Sequence, residues 1–200
     1  KLLTRGIGHT KFKKVNLGVR SQVIEIPQDW DMITLQNISE HITKGSTPTT
    51  YGYEWSKKVE DILFIRNECI KSEKFQLKGS LRITSDAHNF MNRSKIILGD
   101  ILISITGEIG QTCLFPFNQE ANINQHIAKI RITSKDIIPN YVISLLNDTR
   151  YISYFNTINQ GLTHPHLNLG QVQNTKIPLP PLPEQQKIAS ILSNIDSKIT

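Results

Sequence analysis

Two hundred residues, 38% hydrophobic and 20% charged, suffice for one domain with a real core plus an appendage, and they exclude a disordered chain. No apolar run reaches the roughly eighteen residues of a membrane helix, and the basic, polar start (Lys1–Lys14) lacks the pattern of a signal peptide. A net charge of +6 and a pI of about 9.3 bias the surface towards polyanions. Cys69 and Cys113 stand far apart in unrelated contexts and read as reduced thiols of a cytoplasmic protein, not as a disulfide or a zinc site.

Residues 1–21 read as the end of a helix running into a basic, glycine-containing linker. The first residue is not Met, which suits a fragment or a trimmed chain. Pro27 keeps Ile26 extended, and Trp30 is expected to anchor the core where the domain begins. Residues 31–43 carry Met32, Ile33, Leu35, Ile38 and Ile42, an order that predicts a strand followed by a short helical turn.

Lys44, Gly45, Ser46, Thr47 and Thr49 form the first stretch with binding chemistry. Short hydroxyl side chains, a cation and free N–H groups suit phosphate oxygens and base edges; a plain polar loop is the alternative. Tyr51, Tyr53 and Trp55 recur at spacing two and predict one face of a strand, with Tyr51 either packing or bordering nucleic acid. Ile62–Ile65 predicts a buried strand, and Arg66 and Asn67 leave its end. Arg and Asn are the usual bidentate readers of guanine and adenine, although an Arg at a strand end also serves in salt bridges. Lys71, Lys74 and Lys78 follow, as phosphate contacts or as a solvated face.

Ser85 or Asp86 is expected to cap a short helix holding His88 and Asn89, neither with partners at metal spacing. Residues 95–117 predict strands at Ile96–Leu98, Ile101–Ile105 and Thr112–Phe115, joined by turns at Gly99-Asp100 and Thr106–Gly110. Asn122–Ile132 reads as a polar loop and a strand, with Gln125 and His126 at the strand's start. Residues 140–158 predict one amphipathic helix. Thr163, His164 and His166 lie in a loop that either packs beneath a binding surface or contacts the ligand; no third ligand is evident for a metal on the two histidines.

The chain closes with KIPLPPLPEQQKIASILSNIDSKIT. Pro183 suits the first turn of a helix and Glu184 its positive end. Ile188, Leu192, Ile195 and Ile199 alternate at four and three, a coiled-coil seam that Ile191 widens. No Walker loop, adenine-methyltransferase signature, nuclease spacing or Ser/His/Asp set appears, so no catalytic residue, metal or cofactor is expected. No internal repeat is visible, which leaves a single domain.

The string PLPPLPEQQKIA closely resembles the segment that closes a target recognition domain in the specificity subunits of type I restriction-modification systems. LLTRGIGHTKFK, the Ile-Pro-x-x-Trp start, GSTP at 45–48, GDILISITGEIG, Asn-Gln-His at 124–126 and the Gly-x-Thr-x-x-x-Leu-Asn loop at 161–168 are similar to the same family, so the likeness brackets the chain. It implies an α/β (α+β) fold: a mostly β twisted-sheet recognition domain over residues 22–181, preceded by a linker and followed from residue 182 by a long spacer helix. It also implies a non-catalytic subunit that reads one half of a bipartite target in double-stranded DNA. Its DNA-binding residues would be Lys44, Gly45, Ser46, Thr47, Thr49, Tyr51, Arg66, Asn67, Lys71, Lys74, Thr106, Gln125, His126, Thr163, His164 and His166. Spacer residues Ile188, Ile191, Leu192, Ile195 and Ile199 would pair antiparallel with a second recognition domain or a second copy. The modification subunits, and through them the restriction subunit, would dock there and carry the chemistry. A recognition fragment of a fused restriction-methyltransferase, or a half-sized subunit that homodimerises, are the alternatives.

Overall fold

The computed structural model describes residues 2–19, 22–160 and 163–199. A one-turn helix α1 (Leu2–Arg5) precedes β1 (Phe12–Asn16) and β2 (Val23–Pro27), then β3 (Asp31–Thr34), α2 (Leu35–Ile38) and β4 (Ser39–Lys44). Next come β5 (Ile62–Ile65), β6 (Ile70–Lys71), β7 (Lys74–Phe75), β8 (Leu81–Ile83), α3 (Ser85–Phe90) and β9 (Lys95–Ile96). The chain continues through β10 (Ile101–Ser104), β11 (Thr112–Leu114), β12 (Ala121–Ile123) and β13 (Ile127–Ile132). It ends with α4 (Pro139–Leu146), α5 (Thr149–Ile158), α6 (Leu169–Gln173), β14 (Lys176–Leu179) and α7 (Leu182–Ile199).

Two four-stranded sheets make the body. One is antiparallel in the order β11-β10-β13-β4; the other is mixed, β8-β5-β12-β9, with β5 and β12 parallel. Period-two alternation explains their stacking. On β10, Ile101 and Ile103 join the larger core beneath α4, α5 and α7, while Leu102 faces Leu63 and Ile65 of β5 between the sheets. Phe64, pointing the other way, packs with Ile83, Ala87 and Met91 under α3. Both faces of β5 and β10 are covered, which is why their sequences run apolar without a polar alternate. Cys69 and Cys113 are free thiols buried between the sheets, and burial pushes Cys113 up to about 12.

The start and finish of the chain are tied together. β14 pairs antiparallel with β3, from Lys176–Thr34 to Leu179–Asp31. Tyr141 donates its hydroxyl to the Pro178 carbonyl at 3.0 Å and Tyr151 to the Lys176 carbonyl at 2.8 Å. Buried Gln185, in the first turn of α7, accepts from Ile138 N and donates to the carbonyls of Asp136 and Pro180, all at 2.9–3.0 Å. Trp30 is fully buried, as its place in the sequence predicts.

Several sequence expectations change. The linker expected before residue 22 contains β1, paired with β2 from Phe12–Pro27 to Asn16–Val23, and Leu3 and Leu17 enter the core, because these apolar side chains have a surface to bury on. Tyr51, Tyr53 and Trp55 do not lie on a strand. Pro48 starts a 3₁₀ turn, Pro48–Tyr51, which Gly52 ends in the left-handed region at φ 80°. The strand expected at Ile96–Leu98 stops at Ile96, leaving Ile97 and Leu98 exposed; the Asp100 carboxylate accepts from Ile97 N at 2.9 Å and turns the chain there. Thr84, not Ser85 or Asp86, caps α3, accepting from Ala87 N. The single helix expected over 140–158 is two, because Asp148 is extended and caps α5 through Arg150 N, while the Asn147 amide turns aside to bond Thr112. Ile188 is fully buried in the domain's own core, so it docks α7 to the domain and offers nothing to a second helix. Leu192 packs partly on that core and Ile195 is exposed; the side chain of Ile199 lies outside the described residues.

Candidate functional site

Sheet topology brings five strand ends to one edge. β4 and β10 both run antiparallel to β13, so the residues after β4 and after β10 meet the residues before β13. β12 leads into that same turn, and β5, parallel to β12, ends beside it, with Asn124 N donating to the Ile65 carbonyl at 3.0 Å. Hence Thr47, Arg66, Asn67, Thr106, Gln125 and His126, scattered over eighty positions of sequence, line one open cleft of about 550 Å³. Trp55, Glu68, Lys71, Glu108 and Gln111 are among its other walls.

A hydrogen-bonded chain crosses the cleft. The Thr47 hydroxyl donates to Gln125 Oε1. Gln125 Nε2 lies 2.9 Å from His126 Nε2, and His126 Nδ1 lies 2.7 Å from Thr106 Oγ1. An amide nitrogen only donates, so His126 Nε2 accepts, Nδ1 carries the proton and gives it to Thr106 Oγ1. The Thr106 hydroxyl proton is then free for an incoming acceptor. Asn67 Nδ2 donates to the Thr106 carbonyl at 3.0 Å, while Asn67 Oδ1 is buried without a hydrogen-bond partner among the described residues. The Asn124 side chain braces the turn by accepting from His126 N at 3.1 Å.

Arg66 is 35% exposed on its side chain. Its Nε donates to the Gly79 carbonyl at 2.6 Å and its Nη1 lies 3.7 Å from Glu68. A loosely paired guanidinium therefore stands at a strand end and lines the cleft. Lys71 reaches Glu108 at 3.6 Å across the mouth, and Ser72 N donates to Gln111 Oε1 at 3.0 Å, which straps the β6–β7 hairpin to the turn after β10.

A second concavity of about 570 Å³ adjoins the first, sharing Thr47 and Gln125. Lys44, Ser46 and Tyr51 line it as candidates from sequence; Phe90 and Arg93 were not foreseen. Phe90 is 58% exposed and packs at a tilt against Tyr51 and Tyr53, at 5.1 and 5.5 Å between ring centres. The available signal was its place on α3, off the stripe that buries Ala87 and Met91.

Gly45 also lines this second concavity, through its backbone, and the remaining candidates fall elsewhere. Gly45 is buried; its N–H is spent on the Ile127 carbonyl at 3.2 Å, and a Cβ there would run into the Ile123 and Asn124 carbonyls. Its role is close strand packing, and it has no free N–H for a phosphate. Thr49 sits on the exposed side of the 3₁₀ turn, outside both concavities, and Lys74 lies by Ser144 of α4 and Ser193 of α7. His166 bridges to Thr106, and Gly107 N donates to the Pro165 carbonyl at 3.3 Å, so this loop buttresses the cleft from outside. Thr163 and His164 are exposed there; Gly161 and Leu162 lie outside the described residues. No group of three or more metal-ligating side chains occurs among the described residues, and no helix among them is long and apolar enough to cross a membrane.

Residues 27–200 match the type I restriction modification DNA specificity domain, and the chain belongs to that family. Among its relatives, the putative type I restriction enzyme MjaX specificity subunit of Methanocaldococcus jannaschii is 30% identical over 196 residues, 94% of this chain and 43% of that protein. The type I restriction enzyme EcoBI specificity subunit of Escherichia coli is 27% identical over 178 residues, 88% of this chain and 36% of that one. Among solved structures, the HsdS subunit from Thermoanaerobacter tengcongensis shares the fold at a TM-score of 0.64 and 17% identity, covering 93% of this chain and 40% of its own. The chain thus spans about two fifths of the length of these relatives.

Proposed function

We propose that this chain is the DNA-reading domain of a type I restriction-modification specificity subunit and binds one half of a bipartite target in double-stranded DNA. The observation that carries the reading is the convergence of Arg66, Asn67, Thr106, Gln125 and His126 on one open cleft flanked by Lys44 and Arg93, cations with no ion pair among the described residues. Guanidinium, amide and hydroxyl groups are what base edges in a groove require, and flanking cations are what the backbone requires. The recognition domain takes in β1 and the buried Ile188 of α7 beside residues 22–181. From Leu182 the helix α7 continues as a spacer that pairs with a second recognition domain or a second copy through Ile191, Leu192 and Ile195. The chain is non-catalytic. Modification subunits, docked in the cytoplasm on the paired helices, transfer the methyl group to an adenine, and a restriction subunit bound through them cleaves.

The test is exchange of this domain within a full specificity subunit reconstituted with its modification subunit and S-adenosylmethionine, followed by mapping of modified adenines on random DNA. Change in one half of a split target, with the other half retained, is the expected result. An unchanged map would sink the reading.

A further inference from the structure

A third concavity, of about 340 Å³, opens on the other side of Arg93, between β4, the segment after α3, and β13. Lys129 lies at its floor, 5% exposed, with its ammonium donating to the Lys95 carbonyl. An ammonium has three N–H donors, and among the described residues this one has a single acceptor, so a buried cation is left under-partnered. Burial, reinforced by the charge of Arg131, holds Lys129 below the ordinary ammonium range. One carboxylate, Glu120, lines the pocket with the cations Arg93, Lys95, Lys129 and Arg131, and the carboxylates around it each have a nearer partner than Lys129. Asp100 takes Arg131 through two bonds of 2.8 and 2.7 Å, Glu120 pairs with His88 at 3.0 Å, and Glu40 with His41 at 3.4 Å. Arg93 and Lys95, on the wall, enter no ion pair among the described residues.

Arg93 also lines the aromatic concavity beside Lys44, and that concavity meets the recognition cleft at Thr47 and Gln125. A continuous path therefore leads from the base-reading side chains past Lys44 and Arg93, unpaired among the described residues, to a pocket where four cations outnumber the one lining carboxylate and a buried ammonium lies beneath. We propose that Arg93, Lys95 and Lys129 form a phosphate site that seats one phosphodiester of the DNA lying in the recognition cleft. The proposal rests on the reading of that cleft as a DNA site. A phosphodiester supplies what the pocket lacks: one negative charge and acceptor oxygens matched to a guanidinium fork and an ammonium. Every nucleotide carries the same phosphate, so the contact adds affinity and fixes register without adding sequence preference.

The experiment measures binding of the protein and its Arg93→Ala and Lys129→Met variants to a duplex with the mapped half-site and to a scrambled duplex, over a series of salt concentrations. Lys129→Met keeps the buried stem, and circular dichroism checks that both variants fold. Arg93→Ala is expected to weaken both duplexes by the same factor and to reduce the slope of log K against log salt by about 0.9 for the lost contact. In a scan of single methylphosphonates along the duplex, one linkage should weaken the wild type and leave Arg93→Ala unaffected. Folded variants with the wild-type salt slope and no such linkage overturn the proposal. Inorganic phosphate is the second arm. If its ³¹P signal reports binding that Lys129→Met removes, while the DNA salt slope stays unchanged, the pocket takes small anions and the assignment to DNA falls. Failure of the wild type to prefer the half-site counts against the recognition reading alone, because the scrambled duplex still reports the phosphate contact.

Discussion

The indole N–H of Trp30 donates to Glu184 Oε2 at 3.1 Å across 154 positions of sequence, joining the start of the domain to the first turn of α7. Glu184 Oε1 accepts from Ile7 N at 2.8 Å, and His9 Nε2 lies 3.0 and 3.1 Å from the two carboxylate oxygens. One carboxylate thus gathers the segment after α1, the buried Trp30 and the closing helix. Together with Gln185, it makes the proline-rich elbow a fixed joint, so α7 leaves the domain in a set direction.

Glu184→Ala leaves the buried Trp30 N–H and the Ile7 N–H without their acceptor. A lost hydrogen bond to a charged group at a buried donor costs about 2–3 kcal/mol. Urea unfolding should show a lower midpoint at an unchanged m-value. A midpoint within error of the wild type would mean that the carboxylate does not hold the joint.

The Asp148–Arg150 pair gives acid sensitivity a location. Burial works against the Asp148 carboxylate, but the side-chain and backbone hydrogen bonds from Arg150 outweigh it and hold the group below its usual range. A carboxyl depressed in the folded state contributes stability above its unfolded value, near 4, and loses that contribution as pH falls through the folded value. Asp148→Asn should therefore flatten the fall in stability below about pH 4, measured by urea midpoints at several pH values. An acid limb with the wild-type slope would place the sensitivity in other carboxylates.

Much of this was legible in sequence, for physical reasons. Ile62–Ile65 and Ile101–Ser104 are apolar on both faces because each is covered on both sides, and a continuous run reads as that. Arg66 and Asn67 stood out because they end such a strand. What was not legible depends on long-range pairing or on single backbone positions. Spacing two at Tyr51, Tyr53 and Trp55 was undone by Pro48 and Gly52. The split of α4 from α5 turned on the one extended residue, Asp148. Arg93 joined the site because β9 pairs beside β12, which no local pattern announces. Gly45 looked like part of an anion-binding loop, and only the carbonyl of Ile123 packed against it shows why glycine is there.

Arg66 and Gly45 separate reading from scaffolding. Arg66→Ala removes a partly exposed guanidinium and should weaken binding to the half-site by roughly 1–3 kcal/mol, with little change for a scrambled duplex. An equal loss on both duplexes would make it a backbone contact. Gly45→Ala drives a methyl into the Ile123 and Asn124 carbonyls. It should lower the unfolding midpoint before DNA enters the question.

The closing helix makes the last contrast. Its apolar stripe changes role along its length: Ile188 is sealed in the domain, Leu192 is half covered and Ile195 is exposed. Ile188→Asp buries an unpaired charge and should unfold the domain, since removing such a side chain alone costs about 2–5 kcal/mol. Leu192→Asp combined with Ile195→Asp places charges where the helix has solvent to turn to, so circular dichroism and the unfolding midpoint should change little. The same pair of charges on a spacer seam would face apolar partners. Within a reconstituted enzyme, assembly followed by analytical ultracentrifugation should therefore fail for the double variant while its domain stays folded. Intact assembly would show that α7 meets its partners on another face.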